Sequence, residues 1–243
     1  MQTSEITNQL KGVMPLSLET LDLTGGDRKV GLIIVDEVVG FASVGGGNLA
    51  PPVPNEQVSV MVSETDRLAR HFDAEGWPVL AFLDTHTPGK PEPPYPPHCE
   101  EGSGEEELVP ELKWLQDEGK ATLVRKDCIN GFVGAFGKDG RNAVVDWVNE
   151  NHITDLVIVG ICTDICVMDF VLTMLSARNH DMMPPLKEIH VYEKGCSTYS
   201  LPRETAIEVG LPEVAAHPQD ITHYMGLYFM ASRGARLVAD IRL

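Results

Sequence analysis

The sequence predicts an α/β fold, a three-layer sandwich in which helices cover both faces of a mainly parallel, six-stranded sheet of Rossmann-like design. Three observations predict it. Six short apolar runs recur along the chain, helical patterns fill the intervals between them, and several runs end on a residue with useful chemistry. A continuous apolar run suits a strand buried on both faces. Strands alternating with helices argue for a parallel sheet sandwiched between helical layers.

Residues 1–28 are polar and mixed, and are expected to form an N-terminal arm on the surface of a single domain spanning 29–243. The first strand is VGLIIVD (Val30–Asp36). An amphipathic helix over Gln57–Glu75 follows, with Val58, Met61, Val62, Thr65, Leu68, Ala69 and Phe72 on one side. PVLAFLD (Pro78–Asp84) is the second strand. The proline-rich stretch TPGKPEPPYPPH (Thr87–His98) cannot be regular structure, and a long structureless loop in a compact domain is usually functional. A helix is expected over Glu107–Glu118, then a strand at ATLVRKD (Ala121–Asp127) and a helix over Arg141–Asn151. LVIVGIC (Leu156–Cys162) leads into a helix over Asp164–Asn179. EIHVYEK (Glu188–Lys194), a helix over Gln219–Arg233 and RLVADI (Arg236–Ile241) complete the pattern.

With 243 residues and 43% hydrophobic side chains, the chain can bury a full core. Its net charge of −17 repels phosphate backbones and anionic membrane surfaces, so neither nucleic acid nor membrane is an expected partner. No apolar run approaches the roughly 18–20 residues of a membrane span, and the N-terminus carries no secretory pattern. The five cysteines are odd in number, scattered and without a CxxC pair, which suits a reducing compartment. The expected location is cytoplasmic. The glycine run Ser43–Asn48 lacks the lysine and the spacing of a phosphate loop and reads as a flexible segment near Asp36.

In a parallel α/β sheet, ligands bind beyond the carboxyl ends of the strands. Four such ends carry reactive residues: Asp36, Asp84 with His86 after it, Lys126, and Cys162 leading to Cys166. Cys166 falls in the first turn of a helix that Thr163 or Asp164 can cap. Backbone N–H groups and the helix dipole there favour a thiolate. Cys166 also reads as one more small apolar residue of a buried helix, and Cys162 competes for the nucleophile's place. A cysteine nucleophile needs a base and a balancing cation, for which Asp36 and Lys126 are the candidates. Asp84, His86 and His98 offer one carboxylate and two imidazoles, a set that suits zinc, manganese or iron, with Glu92 as a possible fourth ligand. A hydrogen-bonded loop histidine is the alternative reading.

Taken in order, IIVDEVVGF, FLDTH with YPPHC, LVRKD and GICTDICV resemble the isochorismatase-like hydrolase family, and within it the nicotinamidases, most closely the plant branch. The resemblance runs from about Val30 to the C-terminus. It implies the isochorismatase-like fold and hydrolysis of nicotinamide to nicotinate and ammonia through a cysteine thioester, in NAD salvage. It further implies a catalytic triad of Asp36, Lys126 and Cys166. A cis peptide before Cys162 would turn the N–H groups of Cys162 and Cys166 into an oxyanion hole. One divalent metal ion, most simply zinc, would sit on Asp84, His86 and His98, with Phe41 and Tyr95 in the ring pocket. A homo-oligomer is implied by the family alone. Three positions depart from the family pattern: Val38 replaces the usual glutamine, Asp127 the glycine after the lysine, and Tyr95 the tryptophan. They touch the pocket's selectivity and leave every chemical group of the triad in place. The alternatives are an amidase of the same fold acting on an N-carbamoyl or ureido compound, and a catalytically silent binding protein that keeps the fold.

Overall fold

The computed structural model describes residues 3–90 and 92–243. Helix α1 (Thr3–Val13) and strand β1 (Leu18–Asp22) precede β2 (Val30–Val35), the short α2 (Val39–Ala42) and the long α3 (Glu56–Glu75). β3 (Val79–Asp84), β4 (Thr122–Lys126), α4 (Gly131–Gly134) and α5 (Ala143–Glu150) follow. The chain continues through β5 (Asp155–Ile161), α6 (Cys166–Asn179), β6 (Glu188–Ser197), α7 (Arg203–Glu208), α8 (Gln219–Ala231) and β7 (Arg236–Arg242).

The strands form one parallel sheet in the order β1-β7-β6-β5-β2-β3-β4. It has seven strands rather than the six expected. The additional one, β1, has the sequence LETLD and a mostly exposed edge position beside β7, so no apolar run announces it. β2, β3 and β5 are buried along their whole length, which is why their sequences are unbroken apolar runs. Successive residues of β2 serve opposite faces. Ile33 and Val35 join Phe82, Trp147, Phe170 and Leu227 in one core, whereas Leu32 and Ile34 join Met61, Leu68 and Phe72 of α3 in the other. α3 starts on the Asn55 side chain, which accepts from Val58 N, and stops at Gly76 in the left-handed conformation.

The helix expected over Glu107–Glu118 is absent; only Lys113–Gln116 makes a 3₁₀ turn. The segment's backbone is engaged elsewhere. Leu108 bridges Val38, Val109 N donates to Glu37 O, and Pro110 has no N–H to offer a helix. Leu108, Val109, Leu112 and Leu115 are buried all the same, so the apolar spacing serves packing rather than a helix.

Strand order reverses between β2 and β5, whose chain neighbours depart to opposite sides. That switch point opens a crevice at the carboxyl edge. The two strands approach closely there: a Cβ on Gly160 would stand 2.1 Å from the Val35 carbonyl oxygen, and Gly160 has φ +131. Only glycine fits.

Candidate active site

Asp36 immediately follows β2, Asp84 ends β3 and Lys126 ends β4, so three neighbouring strands deliver three charged side chains to one edge. All three are buried. Lys126 Nζ lies 2.7 Å from Asp84 Oδ1 and 2.8 Å from Asp36 Oδ2. The first contact is an aligned hydrogen bond; the second is an ion-pair contact without hydrogen-bond alignment. Asp36 holds φ +53, a left-handed conformation unusual for a non-glycine residue and characteristic of functional turns.

Electrostatics divide these groups. Burial pushes Asp36 up to about 6, against the pull of the Lys126 charge. Asp84 is equally short of water. Even so, Lys126 and its hydrogen bonds to His86 and His98 hold it far below the usual carboxylate range. Burial works against the Lys126 ammonium, but Asp36, Cys166 and Asp84 together keep it well above the ordinary lysine value. Burial drives the Cys166 thiol well up, only partly offset by Lys126. At neutral pH the resting pair is therefore a neutral thiol beside an ionised Asp36.

Cys166 is the first residue of α6, whose initial N–H groups have no intrahelical partner. The Ile161–Cys162 peptide is cis. The expected side-chain cap is absent: Ile165 occupies the cap position, and both candidate caps are engaged elsewhere. Thr163 Oγ1 pairs with His223 Nδ1 at 2.7 Å. Asp164 accepts from Thr198 Oγ1 at 2.7 Å and faces His217 Nε2 at 2.8 Å. Between the two thiols of this turn, the charges around them favour Cys166. Lys126 is the leading charge acting on it, whereas Cys162, pushed up to about 12 by burial, answers chiefly to Asp164, Thr198 and Tyr199.

Asp84, His86 and His98 are buried, and their ligand atoms all lie within 4.8 Å of one another. Both histidines turn Nε2 toward Asp84 Oδ2, at 2.9 and 3.2 Å. His98 Nδ1 donates to the Pro96 carbonyl at 2.7 Å, which fixes the tautomer and leaves Nε2 for a cation. Two imidazoles and a carboxylate of such geometry can hold one divalent metal ion, with positions left open. Glu92 stands farther off, 3.6 Å from each Nε2, and one of its oxygens accepts from Ile129 N.

A cavity of about 420 Å³ joins the two groups: Cys166 and Cys162 line one side, Asp84, His98 and Glu92 the other. Phe41 and Tyr95 line it as well, with ring centroids 5.5 and 6.0 Å from that of His98. Its remaining walls went unread in the sequence. They include Ile129, Tyr199 and a strap from Leu201 to His217, of which Leu201, Leu211, Pro212, Val214 and Ala215 face the cavity with apolar side chains. Nothing in those residue types marks them as a pocket; only the fold brings them over the strand ends.

This constellation can be set beside known proteins. A family model described as the isochorismatase domain matches residues 30–216. Nicotinamidase 1 of Arabidopsis thaliana is 52% identical over 236 residues, covering 97% of this chain and 96% of that protein. Among solved structures, a nicotinamidase from Bacillus subtilis superposes with a TM-score of 0.63 at 22% identity, over 87% of this chain and all of that one. The pyrazinamidase of Pyrococcus horikoshii in complex with zinc superposes at 0.59 and 20% identity, over 86% and 98% of the two chains. The match of the domain model spans every strand end described above, from Asp36 to Cys166, and on that ground the chain belongs to the isochorismatase family.

Proposed function

We propose that the protein is a nicotinamidase, hydrolysing nicotinamide to nicotinate and ammonia in NAD salvage. The observation that carries this reading is one cavity lined by the Cys166 thiol and by Asp84 and His98 of the Asp-His-His group among apolar walls, with Lys126 and Asp36 paired and buried at the adjoining strand ends. The similarity to the Arabidopsis nicotinamidase over nearly the whole chain supports it.

In this mechanism Asp36 accepts the thiol proton while Lys126 holds Asp36 in place and ionised. Cys166 sulfur bonds to the carboxamide carbon, and the oxyanion that forms is held by the N–H groups of Cys162 and Cys166. The C–N bond then breaks, and the proton on Asp36 leaves with the amide nitrogen as ammonia. Water, deprotonated by Asp36, opens the thioester; nicotinate departs and the thiol regains its proton. Asp84, His86 and His98 would hold the divalent ion, a Lewis acid able to coordinate the pyridine nitrogen. Phe41 and Tyr95 would flank the ring, and Glu92 supports the loop from beside the metal group. The working unit in this proposal is residues 29–243, with 1–28 as an arm whose strand β1 extends the edge of the sheet beside β7. Five free thiols support a reducing cytoplasm as its compartment, and exposed Ile207, Val209 and Val214 support a homo-oligomer.

The test is ammonia release from nicotinamide by wild type and Cys166→Ala, with metal content measured on the same samples. Loss of a nucleophile costs on the order of 10⁴ or more in turnover. Near-normal release by the variant would overturn the scheme.

A further inference from the structure

His217 is buried at 8% exposure, yet no step above uses it. Its backbone closes the strap: Leu201 N donates to His217 O at 2.9 Å, and His217 N to Leu201 O at 2.7 Å. Its side chain reaches in two directions. Nε2 meets Asp164 Oδ2 at 2.8 Å, and Nδ1 meets the Tyr199 carbonyl at 2.8 Å, with Thr222 Oγ1 3.3 Å away. The imidazole also lies flat on the Tyr199 ring, with centroids 3.8 Å apart and planes 14° apart.

The three elements so joined border the cavity. Tyr199 is a wall of it, the strap supplies Leu201, Leu211 and Val214, and Asp164 sits inside the turn between Cys162 and Cys166. Asp164 is itself pinned from the far side by Thr198 Oγ1. Burial opposes ionisation of Asp164, but the hydrogen bond and charge of His217 together with the hydrogen bond from Thr198 outweigh it and keep Asp164 below the usual carboxylate range. One side chain thus sets where a pocket wall, the pocket's cover and the nucleophile's turn stand relative to one another.

We propose that His217 is a positioning residue for substrate, acting through Tyr199 and Asp164 to fix the aromatic wall of the cavity against the turn that carries Cys166. This rests on the reading of that cavity as the substrate site. His217 touches no reacting atom, so its effect falls on ring binding more than on bond breaking.

The experiment measures nicotinamide hydrolysis by wild type, His217→Ala, His217→Phe, Tyr199→Leu and the His217→Ala/Tyr199→Leu double variant. His217→Ala is expected to raise KM about five- to tenfold, the scale of one lost aromatic stack with its hydrogen bonds, while kcat moves less than about threefold. His217→Phe keeps the stack and the volume, so its KM falls between wild type and the alanine variant; it also serves should the alanine variant not fold. Because His217 acts through Tyr199, the double variant's KM matches the larger single effect rather than the product. A merely structural role would lower Tm and active fraction and leave KM alone. Unchanged KM in both His217 variants, or effects on KM that multiply, would overturn the proposal.

A second readout does not depend on the nicotinamide reading. The rate of Cys166 alkylation by N-phenyl iodoacetamide, relative to iodoacetamide, reports the aromatic wall directly. That ratio should fall about fivefold in His217→Ala. If wild type leaves nicotinamide intact but the ratio still falls in His217→Ala, the nicotinamidase reading is sunk and the role of His217 sustained. An unchanged ratio would sink the latter.

Discussion

The two halves of the cavity are built in opposite ways. On one side, Asp84 lines the cavity at the end of β3, paired with Lys126 at the end of β4, which in turn pairs with Asp36 just after β2, and all three side chains are almost wholly withdrawn from water. On the other, Tyr199 and the Leu201–His217 strap lie in the long connection between β6 and α8, where Val214 is 91% exposed. The sheet side places charges that are costly to bury and effective because they are buried. The strap side places apolar surface whose exact residues matter less than its presence. In the proposed mechanism chemistry falls to buried strand ends and coverage to an exposed connection, so damage to the two halves should differ in kind as well as in size.

The largest effect is expected from Lys126→Met. The substitution removes the one cation between Asp36 and Asp84 and leaves two carboxylates facing each other in the interior. Breaking a buried pair by removing one partner costs about 3–5 kcal/mol, and the loss of the ammonium also leaves Asp36 without its counter-charge. We expect a drop of at least about 10³ in kcat/KM, together with a Tm lowered by several degrees. Retention of normal activity with a lowered Tm would mean that Lys126 is structural only and that the sheet half carries less of the chemistry than its burial suggests.

The pH dependence sharpens the same half. In the proposed mechanism Asp36 must be ionised to take the thiol proton, and burial pushes it up to about 6. Activity is therefore lost as pH falls. With that value kcat/KM drops about tenfold between pH 7 and pH 5. A divalent cation on Asp84, His86 and His98 adds positive charge nearby and favours the ionised acid, so the limb of the metal-loaded enzyme lies below that of the chelated one. Stability runs the other way. A carboxyl whose folded value is raised stabilises the fold fully below its unfolded value near 4, and loses that contribution as pH rises through about 6. The activity loss on acidification is thus inhibition rather than unfolding. Profiles of both preparations, with Tm read at each pH, check this; a limb that tracks Tm, or a metal-loaded limb above the chelated one, would contradict it.

The two halves also differed in how far the sequence disclosed them. Buried parallel strands must be apolar throughout, so VGLIIVD, PVLAFLD and LVIVGIC announce themselves, and the polar residue closing each run marks the sheet edge. The places of Asp36 and Asp84 were legible for that reason; Lys126 closes the largely exposed edge strand β4 and was read from its position in the alternating pattern, and Cys166 from the helix start that follows Cys162. His86 and His98 were legible from the metal-binding character of their residue types on a proline-rich loop. Nothing comparable exposes the strap: Leu211, Val214 and Ala215 are ordinary apolar residues, and their role comes from crossing the crevice. His217 could not be singled out among eight histidines, because its partners Asp164 and Tyr199 are distant in sequence. Local side-chain chemistry misled as well. Thr163 and Asp164 look like helix caps, but tertiary partners claim both. Glu37, next to Asp36, drew no reading from the sequence. It is fully buried, accepts from Thr65 Oγ1 at 2.6 Å and is pushed well up by burial.

The smallest effect is expected where the cover is most exposed. Val214→Ser changes a residue that lines the cavity and still leaves nine-tenths of its surface in water. Little apolar area is removed from solvent by folding at this position, so stability should stay within about 0.5 kcal/mol of wild type. If the strap lies over a bound ring, the lost methyl contacts weaken binding by a fraction of a kcal/mol, and KM rises about twofold with kcat unchanged. Steady-state kinetics on wild type and variant decide it. A tenfold change in kcat from so exposed a side chain would show that the strap takes part in the chemistry, and the division between a catalytic sheet edge and an apolar cover would have to be redrawn.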